Sequence, residues 1–311
     1  MSLRKNFAET ITKIARIDPK LVMFVGDISH GIFGKLREEF PERYYNIGIC
    51  EPAMVNVAAG LSAQGLTPVV HTIAPFLIER SYEQIKLDFA YQELGINLIS
   101  VGGAFDYSKL GCSHHCYTDY SLISEFKQAN IYFPGSDIEF ETLFRENYTN
   151  RMINYFRLTE YPHNFVFKEN EINSGKAIKV RKGEDLTIFT TGALLGKVID
   201  AASELKSQGV SVEIVYFHTL KPFDHAATLS SVLRTRKFIT FEDISENNGL
   251  FKLVNETVSG KLIYKSKQIA INDFIRIYGT YDALCDSVGL TTSNLVYEAT
   301  KMVKSLDENF S

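Results

Sequence analysis

Short apolar runs alternate with segments of helical periodicity along almost the whole chain, and this alternation limits the folds open to it. LVMFVG at 21–26, TPVVHTI at 67–73 and INLISVG at 96–102 have the length and composition of buried strands. The segments between such runs are long enough for helices, for example PAMVNVAAGLSAQG at 52–65, which ends at a glycine suited to a helix C-cap. Strands joined by helices require crossover connections, so the pattern predicts parallel sheets flanked by helices.

The alternation occurs in two series, separated by a polar and less periodic stretch at 162–185. A chain of 311 residues is long enough for two domains. We therefore predict an α/β protein with one domain at 1–172 and a second at 186–311, each built on a parallel or mostly parallel sheet. The first series includes an expected strand at 43–49 and one long helix at 76–94. In the second, the expected strands are DLTIFTTG, VSVEIVYF, KFITFED and FIRIYG, followed by a final amphipathic helix, TTSNLVYEATKMVKSL.

The composition argues against several classes of protein. A net charge of −4 does not favour binding to nucleic acid, which usually selects a basic face. No apolar run approaches the ~20 residues that span a bilayer, and the first residues have no apolar signal core, so we expect no membrane partner and a cytoplasmic protein. Four cysteines in 311 residues do not make a disulfide framework, and we expect them to be reduced.

A single carboxylate stands out in YYNIGICEPAMVNVAAGLSAQG at 44–65. Glu51 precedes Pro52, which suits the first turn of a helix, so the acid could simply lie against the positive end of that helix. Its neighbours are apolar, however, and no counter-charge is apparent nearby in the sequence. A buried glutamate prefers its neutral form, and such an acid can act as a proton donor. The residues alone leave both interpretations open; the apolar neighbours are Ile47, Ile49, Met54 and Val55.

GICEPAMVNVAAGLSAQG resembles the transketolase-family motif in which G-I-x-E precedes a helix of small residues. Other segments match motifs of the same family in the same order, over nearly the whole chain. They are EEFPERYYNIGI at 38–49, HTIAPFLIERSYEQI at 71–85, GCSHHC at 111–116, IYFPGSDIEFETL at 131–143 and TTGALLGKVIDAASELKSQGVSVEIVYFHTLKPFD at 190–224. The resemblance is to the C-terminal half of transketolases, which consists of a pyrimidine-binding domain and a C-terminal domain, as in split transketolase subunits.

The resemblance implies a cofactor and its contacts. In this family the motif glutamate hydrogen-bonds the aminopyrimidine ring of thiamine diphosphate and so activates the cofactor, a role that falls to Glu51 here. Ile49 of the same motif and Asp27 are expected near the cofactor. Phe76 matches the aromatic residue that stacks on the pyrimidine, although this chain has one more residue between Phe76 and Arg80 than the family's usual spacing.

The resemblance also implies a substrate side to the site. His114 matches the histidine of the family's G-x-T-H-Q loop, which faces the substrate and is expected to be catalytic. His30 and His71 lie at or just after strand ends, where sites in open parallel sheets collect, and are candidates for substrate contact. Arg157 matches an arginine at a strand end and could bind an anion.

The cysteines of GCSHHC could instead indicate zinc, since Cys112 and Cys116 have a spacing found in zinc sites. No distant second pair of ligands is apparent, and the family loop accounts for the segment, so we expect no metal site in this chain. The transketolase signature G-D-G, with a later asparagine, holds the cofactor's diphosphate and magnesium, and it is not found here. We expect a separate partner subunit carrying that domain, with a homodimer of this chain inside a heterotetramer.

The expected function is transfer of a two-carbon ketol unit between sugars, by a split thiamine-diphosphate-dependent enzyme to which this chain supplies Glu51. At two positions the sequence departs from the family, and both departures argue against an ordinary pentose phosphate as the substrate. Lys109 and Leu110 stand where many members have an acid that binds sugar hydroxyls, and Phe133 stands where many have a phosphate-binding arginine. The alternatives are a deoxyxylulose-phosphate-synthase-like or 2-oxo acid dehydrogenase beta-like subunit, or a non-catalytic partner that kept the fold.

Overall fold

The computed structural model describes residues 2–304, and the first part of the chain forms a parallel sheet covered by helices. Its strands are β1 (Leu21–Val25), β2 (Tyr44–Asn46), β3 (Thr67–Ile73), β4 (Ile96–Val101), β5 (Ala129–Tyr132) and β6 (Ile153–Leu158). Its α-helices are α1 (Leu3–Ala15), α2 (Gly34–Glu39), α3 (Glu51–Ala63), α4 (Tyr82–Gln84), α5 (Asp119–Ser124) and α6 (Asp137–Asn147). β1, β4 and β6 are buried along their whole length, as expected for strands with helices on both faces.

The second part of the chain forms another sheet of the same type. The strands of this part of the chain are β7 (Ile178–Arg181), β8 (Leu186–Thr191), β9 (Val212–Phe217), β10 (Thr219–Lys221), β11 (Lys237–Ser245) and β12 (Lys265–Ile271), and all except β10 belong to this sheet. Its α-helices are α7 (Leu195–Ser207), α8 (His225–Thr235), α9 (Leu250–Val258), α10 (Tyr281–Ser287) and α11 (Thr292–Lys304). Single turns of 3-10 helix connect elements at His30–Phe33, Pro41–Arg43, Cys112–His114, Glu169–Glu171 and Gly192–Leu194.

Both sheets have the predicted, mostly parallel arrangement. The second has the order β12-β11-β8-β9-β7, and only β7, from the polar stretch predicted to separate the domains, runs antiparallel. The first has the order β10-β5-β6-β4-β3-β1-β2. Its edge strand β10 comes from the second part of the chain and pairs antiparallel with β5. In the first sheet the chain moves from β1 to β2 on one side and then returns to β3 on the other side. The carboxyl ends of β1 and β3 therefore flank a switch point, where ligands bind in open α/β sheets.

The prediction of FIRIYG as the last strand is wrong. The last strand is β12, which alternates buried and accessible residues near its end and pairs parallel with β11. Residues 274–279 follow it without regular structure, and Phe274 and Tyr278 are exposed; β12 takes the place beside β11 that the predicted strand would have filled. The strand expected at 43–49 is limited to β2. The predicted final helix extends through α11, and its last two residues, 305 and 306, lie outside the described residues.

The long helix predicted at 76–94 is divided. Pro75–Glu79 and Ile85–Ala90 form wide turns of π-helix on either side of α4. The backbone N–H of Arg80 donates to the carbonyl of Pro75, five residues earlier, at 3.0 Å. A π-turn contains one more residue than an α-turn, so this turn can accommodate the additional residue between Phe76 and Arg80 that the family resemblance indicates. Among residues 2–304, no helix is long and apolar enough to cross a membrane.

A buried carboxylate ties the two sheets together. Glu139 of α6 is fully buried and accepts hydrogen bonds from the backbone N–H of Gly135 at 2.9 Å and from Ser136 Oγ at 2.7 Å. From the second sheet, the hydroxyl of Tyr216 donates to Glu139 at 2.6 Å. From the segment between β6 and β7, Nε2 of His163 lies 2.9 Å from Glu139 Oε1. Burial opposes ionisation, but these neighbours outweigh it and hold the pKa of Glu139 below its usual value.

We expect Glu139→Ala to destabilise the protein by about 3–5 kcal/mol, because it leaves several buried donors without an acceptor. The matched control is Glu141→Ala on the same helix, where partly exposed ion pairs are worth less than about 1 kcal/mol. Urea unfolding of both variants would measure the difference.

The stability that Glu139 contributes should depend on pH. Because its pKa is lowered in the folded state, the contribution is present above the unfolded pKa of about 4.3 and is lost as pH falls through the lower, folded value. A stability difference between wild type and Glu139→Ala that stayed constant down to strongly acidic pH would contradict this account.

Candidate active site

The carboxyl ends of β1, β2 and β3 meet around Glu51. Glu51 is the first residue of α3, immediately after the short loop that leaves β2, and only 1% of its surface is exposed. Thr72 of β3 donates from its hydroxyl to Glu51 Oε1 at 3.3 Å. At the end of β1, a Cβ on Gly26 would lie 3.0 Å from Thr72 Oγ1 and 3.5 Å from Glu51 Oε1. A side chain at this position would press against Thr72, so glycine favours the close approach of these strand ends.

The apparent absence of a counter-charge for Glu51 is corrected by the structure. Arg80 reaches Glu51 and donates from Nη1 to Oε2 at 2.9 Å. The carboxylate is buried, whereas 44% of the Arg80 side chain is exposed, so the arginine approaches from the mouth of the site. Sequence reasoning missed this contact because the two residues are 29 positions apart and the wide turn after Pro75 decides where Arg80 lies.

Phe76 lies beside this ion pair and contacts His114. The guanidinium carbon of Arg80 is 4.2 Å from the centre of the Phe76 ring, a cation–π contact. The His114 ring meets Phe76 edge to face, with the ring centres 5.1 Å apart. Both Phe76 and His114 are partly accessible. The structure thus brings Glu51, Phe76 and His114 into one cluster, with Arg80 as the member that the sequence did not predict.

Asp27 belongs to a strained loop at the end of β1. Its backbone has a φ of 66°, and Ser29 has a φ of 63°, a conformation that is uncommon for residues other than glycine. The side chain of Asn46, at the end of β2, accepts from the backbone N–H of Asp27 at 3.0 Å and donates to the Asp27 carboxylate at 3.2 Å. These bonds join the ends of β1 and β2, and the Asp27 side chain stays accessible to solvent. Such strain is often found at functional sites.

His71 is buried and its protonation state follows from its partners. Its Nδ1 lies 2.7 Å from the carbonyl of Ile99, which can only accept, so Nδ1 carries the hydrogen. Its Nε2 is 3.0 Å from the hydroxyl of Ser29 and therefore accepts a hydrogen bond from it. Burial lowers the pKa of His71 to about 4, which keeps the ring neutral at physiological pH.

His30 lies in the turn that follows this loop and is fixed by two contacts. Arg37 donates to its Nε2 at 2.5 Å, and its Nδ1 lies 2.8 Å from the hydroxyl of Tyr44. Since a guanidinium can only donate, Nε2 is the acceptor and Nδ1 carries the hydrogen. Both ring nitrogens of His30 are thus occupied by protein groups.

Arg4 is a member of this site that the sequence analysis missed. From α1, its Nη1 lies 3.5 Å from the hydroxyl of Ser29, and its Nε pairs with Glu160 at 2.8 Å. The side chain is 30% exposed. The contact joins residues 25 positions apart, and nothing in the periodicity of α1 marks Arg4 as different from other basic residues on a helix surface.

Arg157 does not offer a free cation. It is buried between the carboxylates of Asp119, at 3.5 Å, and Asp243, which comes from the second sheet. Its guanidinium carbon is 3.7 Å from the centre of the Phe133 ring. Two internal carboxylates already compensate its charge, so the expected binding of an anion by Arg157 has no support in this structure. Phe133, which departs from the family arginine, forms one wall of this internal contact.

Ile49 is 72% exposed in the loop before α3, and its expected place near the cofactor stays a prediction. The cysteine loop, in contrast, does not favour zinc. Cys116 is buried and lies 3.7 Å from Glu79 Oε1, whereas Cys112 is exposed. Burial raises the pKa of the Cys116 thiol well above its usual value, which is the opposite of what a thiolate ligand needs. Within residues 2–304, no three His, Cys, Asp or Glu side chains are grouped so as to hold a metal ion.

The donor set at the switch point suits one part of a thiamine cofactor. A buried carboxylate beside an aromatic face can bind a planar ring that carries a nitrogen at its edge. The hydroxyl of Ser29, which His71 holds through Nε2, and the cation of Arg4 can bind polar groups. A diphosphate with its magnesium needs a group of oxygen ligands, and the described part of the chain brings no such group together here.

Two family comparisons cover most of the chain. Residues 1–161 match the transketolase pyrimidine binding domain, and residues 175–308 match the transketolase C-terminal domain. The chain is 28% identical over 299 residues to a 6-deoxy-6-sulfo-D-fructose transketolase subunit of Clostridium sp. (strain MSTE9), covering 96% of this chain and 93% of that protein. It is 27% identical over 307 residues to an apulose-4-phosphate transketolase subunit of Phocaeicola vulgatus, covering 98% of each.

A solved structure agrees with these relatives. A split-gene transketolase, described as an inactive beta4 tetramer, superposes with a TM-score of 0.89 and 25% sequence identity, over 97% of this chain and 98% of that one. The order of the two matched domains is the one that the motifs predict. The chain therefore belongs to the transketolase family, of which it contains the pyrimidine-binding domain followed by the C-terminal domain.

Proposed function

We propose that this chain is the pyrimidine-binding subunit of a split, thiamine-diphosphate-dependent transketolase-like enzyme that transfers a two-carbon ketol unit between sugars. The observation that carries the proposal is the buried Glu51 at the first residue of α3, next to the half-buried ring of Phe76. Two relatives of nearly the same length, each named as a transketolase subunit, support it.

When bound, thiamine diphosphate supplies the nucleophilic carbon that attacks a sugar carbonyl. Glu51 holds a proton between its carboxyl group and the ring nitrogen at the edge of the pyrimidine, and its burial excludes the water that would compete for that proton. Phe76 offers its face to the same ring. Thr72 fixes the carboxyl group of Glu51 from the side of β3.

The substrate side of the site consists of His114, His71, Ser29 and Arg4. His71 is neutral and held by Ile99, so it can orient the Ser29 hydroxyl or, after a shift of that hydroxyl, accept from a sugar. Arg4 is a partly exposed cation at the same loop. The names of the two relatives both contain sugars with an acidic group, a sulfo sugar and a sugar phosphate. Arg4 pairs with Glu160 through Nε only and is 30% exposed, so its remaining N–H groups suit such a group.

The diphosphate and its magnesium are bound mainly by a partner subunit in this proposal. Within the described residues, the cluster around Glu51 has no set of oxygen ligands for the metal, and the active site is completed across an obligate interface. The assembly contains two copies of each subunit. The description of the structural neighbour as an inactive tetramer of beta chains agrees with a need for a second type of subunit.

Glu51→Gln should lower ketol transfer by about 10²–10⁴-fold, because the amide keeps the shape of the side chain and cannot share the proton. The matched control is Glu83→Gln, an accessible glutamate of α4 that we expect to be neutral. Steady-state kinetics of the assembled enzyme would measure the effect, with circular dichroism as the test of folding. Near-normal turnover by Glu51→Gln would contradict the role of Glu51.

Phe76→Ala should weaken binding of thiamine diphosphate, since stacking of a base-like ring on an aromatic side chain is worth about 1–3 kcal/mol. The control is Phe165→Ala, which removes an exposed ring in the segment that leaves β6. Calorimetric titration of the assembled enzyme would compare the two. An unchanged cofactor affinity for Phe76→Ala would assign stacking to another aromatic residue.

His114→Asn should reduce kcat/KM for the sugar by about 10–100-fold and leave the affinity for the cofactor within about twofold, because we place His114 on the substrate side. His225→Asn, in the second sheet's helix layer and away from Glu51, is the control. Loss of cofactor binding in His114→Asn, with normal kinetics at saturation, would place this histidine on the cofactor instead.

The first experiment is a titration of thiamine diphosphate and magnesium into this chain, alone and mixed with a candidate subunit that carries the diphosphate domain. Binding only in the mixture would support a composite site. Product analysis with ketose donors and with 2-oxo acids would then separate ketol transfer from the decarboxylating alternatives. Absence of binding in both samples would favour the non-catalytic interpretation.

A further inference from the structure

Arg80 makes both contacts that the proposed function assigns to the pyrimidine ring. Its guanidinium donates to Glu51 Oε2 at 2.9 Å, which is the carboxylate that would meet the ring nitrogen. The same group lies 4.2 Å from the centre of the Phe76 ring, which is the surface on which the pyrimidine would stack. The other oxygen of Glu51 is engaged by Thr72 at 3.3 Å. In this structure the carboxylate and one face of Phe76 are therefore already used by the protein itself.

A guanidinium and an aminopyrimidine have the shape and the polarity to replace each other here. Both are planar, both present N–H groups at an edge, and both stack on an aromatic ring. We propose that Arg80 is a placeholder, which occupies the pyrimidine position in the chain without cofactor and must leave before the cofactor binds. This inference rests on the proposed function, and it adds a step that competes with cofactor binding.

The placeholder has a clear physical purpose. Glu51 is almost completely buried, and a buried carboxylate without a partner is strongly unfavourable. Arg80 supplies that partner while the site is empty of cofactor, and its exposed side chain can turn outward into solvent when a ring takes its place. The wide helical turn that contains Phe76 and precedes Arg80 sets the distance between the two side chains.

The inference predicts that removal of the positive charge of Arg80 strengthens the binding of thiamine diphosphate. Arg80→Met keeps much of the length of the side chain and cannot form the ion pair, so the mixture with the diphosphate-domain subunit should bind thiamine diphosphate at least about tenfold more tightly than wild type. The matched control is Lys86→Met, which removes an exposed cation from the next turn of the same helical segment. Simple electrostatics predicts weaker binding of the anionic cofactor for both variants, so tighter binding by Arg80→Met alone is diagnostic.

Calorimetric titration distinguishes failure of this inference from failure of the proposed function. If wild type binds the cofactor and Arg80→Met binds it equally or more weakly, Arg80 is not a competitor and the inference is overturned, while the function stands. Binding by Arg80→Met in a mixture where wild type shows none would support the inference. If none of the three proteins binds in the mixture, the proposed function fails, and the inference that depends on it fails too.

Thermal unfolding of the chain alone tests whether Arg80 occupies the site before assembly, without partner or cofactor. Glu51→Gln, Arg80→Met and the double variant form a mutant cycle. If the ion pair exists in the free chain, the double variant should lose clearly less stability than the sum of the two single losses. Additive losses would overturn the inference, because Arg80 would then not contact Glu51 in the free chain.

Discussion

A parallel sheet brings the carboxyl ends of its strands to a single edge, and the candidate site depends on that constraint. Gly26 after β1, Glu51 after β2 and Thr72 within β3 are far apart in the sequence, yet they approach one another closely enough for Thr72 to hydrogen-bond Glu51. The strand order reverses direction at β1, which opens the crevice in which these groups meet. Burial then makes the carboxylate of Glu51 dependent on a partner, and Arg80 supplies it.

Periodicity and local chemistry were sufficient to predict one part of this arrangement. The alternation of apolar runs predicted both sheets, and Pro52 after Glu51 correctly indicated the start of α3. Contacts over long separations were not predictable in this way. The pairing of Arg80 with Glu51 depends on a π-turn, and nothing in the residue types distinguishes such a turn from an ordinary α-turn. FIRIYG has the apolar and aromatic residues of a strand, although the place beside β11 that it would fill is taken by β12.

The charged groups buried between the two sheets differ from those at the candidate site because their partners come from both parts of the chain. Arg157 contacts Asp119 of α5 and Asp243 of the second sheet, and Glu139 accepts from Tyr216 across the same boundary. Each of these groups would be strongly unfavourable alone, so the two halves of the chain complete each other's polar interior. This explains why an arginine at a strand end, which sequence comparison assigns to an anion, is here part of the internal framework.

The pairing of β10 with β5 has a consequence for how the chain reaches this structure. Thr219 and Lys221 complete an edge of the first sheet, and the amine of Lys221 donates to the carbonyls of Ser124 and Phe126 beside it. During synthesis the first sheet emerges well before β10, so its β5 edge remains open while the residues in between are made. An open edge can recruit strands from other molecules. Here the edge is closed only when β10, from the last third of the chain, pairs with β5. A chain shortened after β9 would keep this edge of the first sheet open.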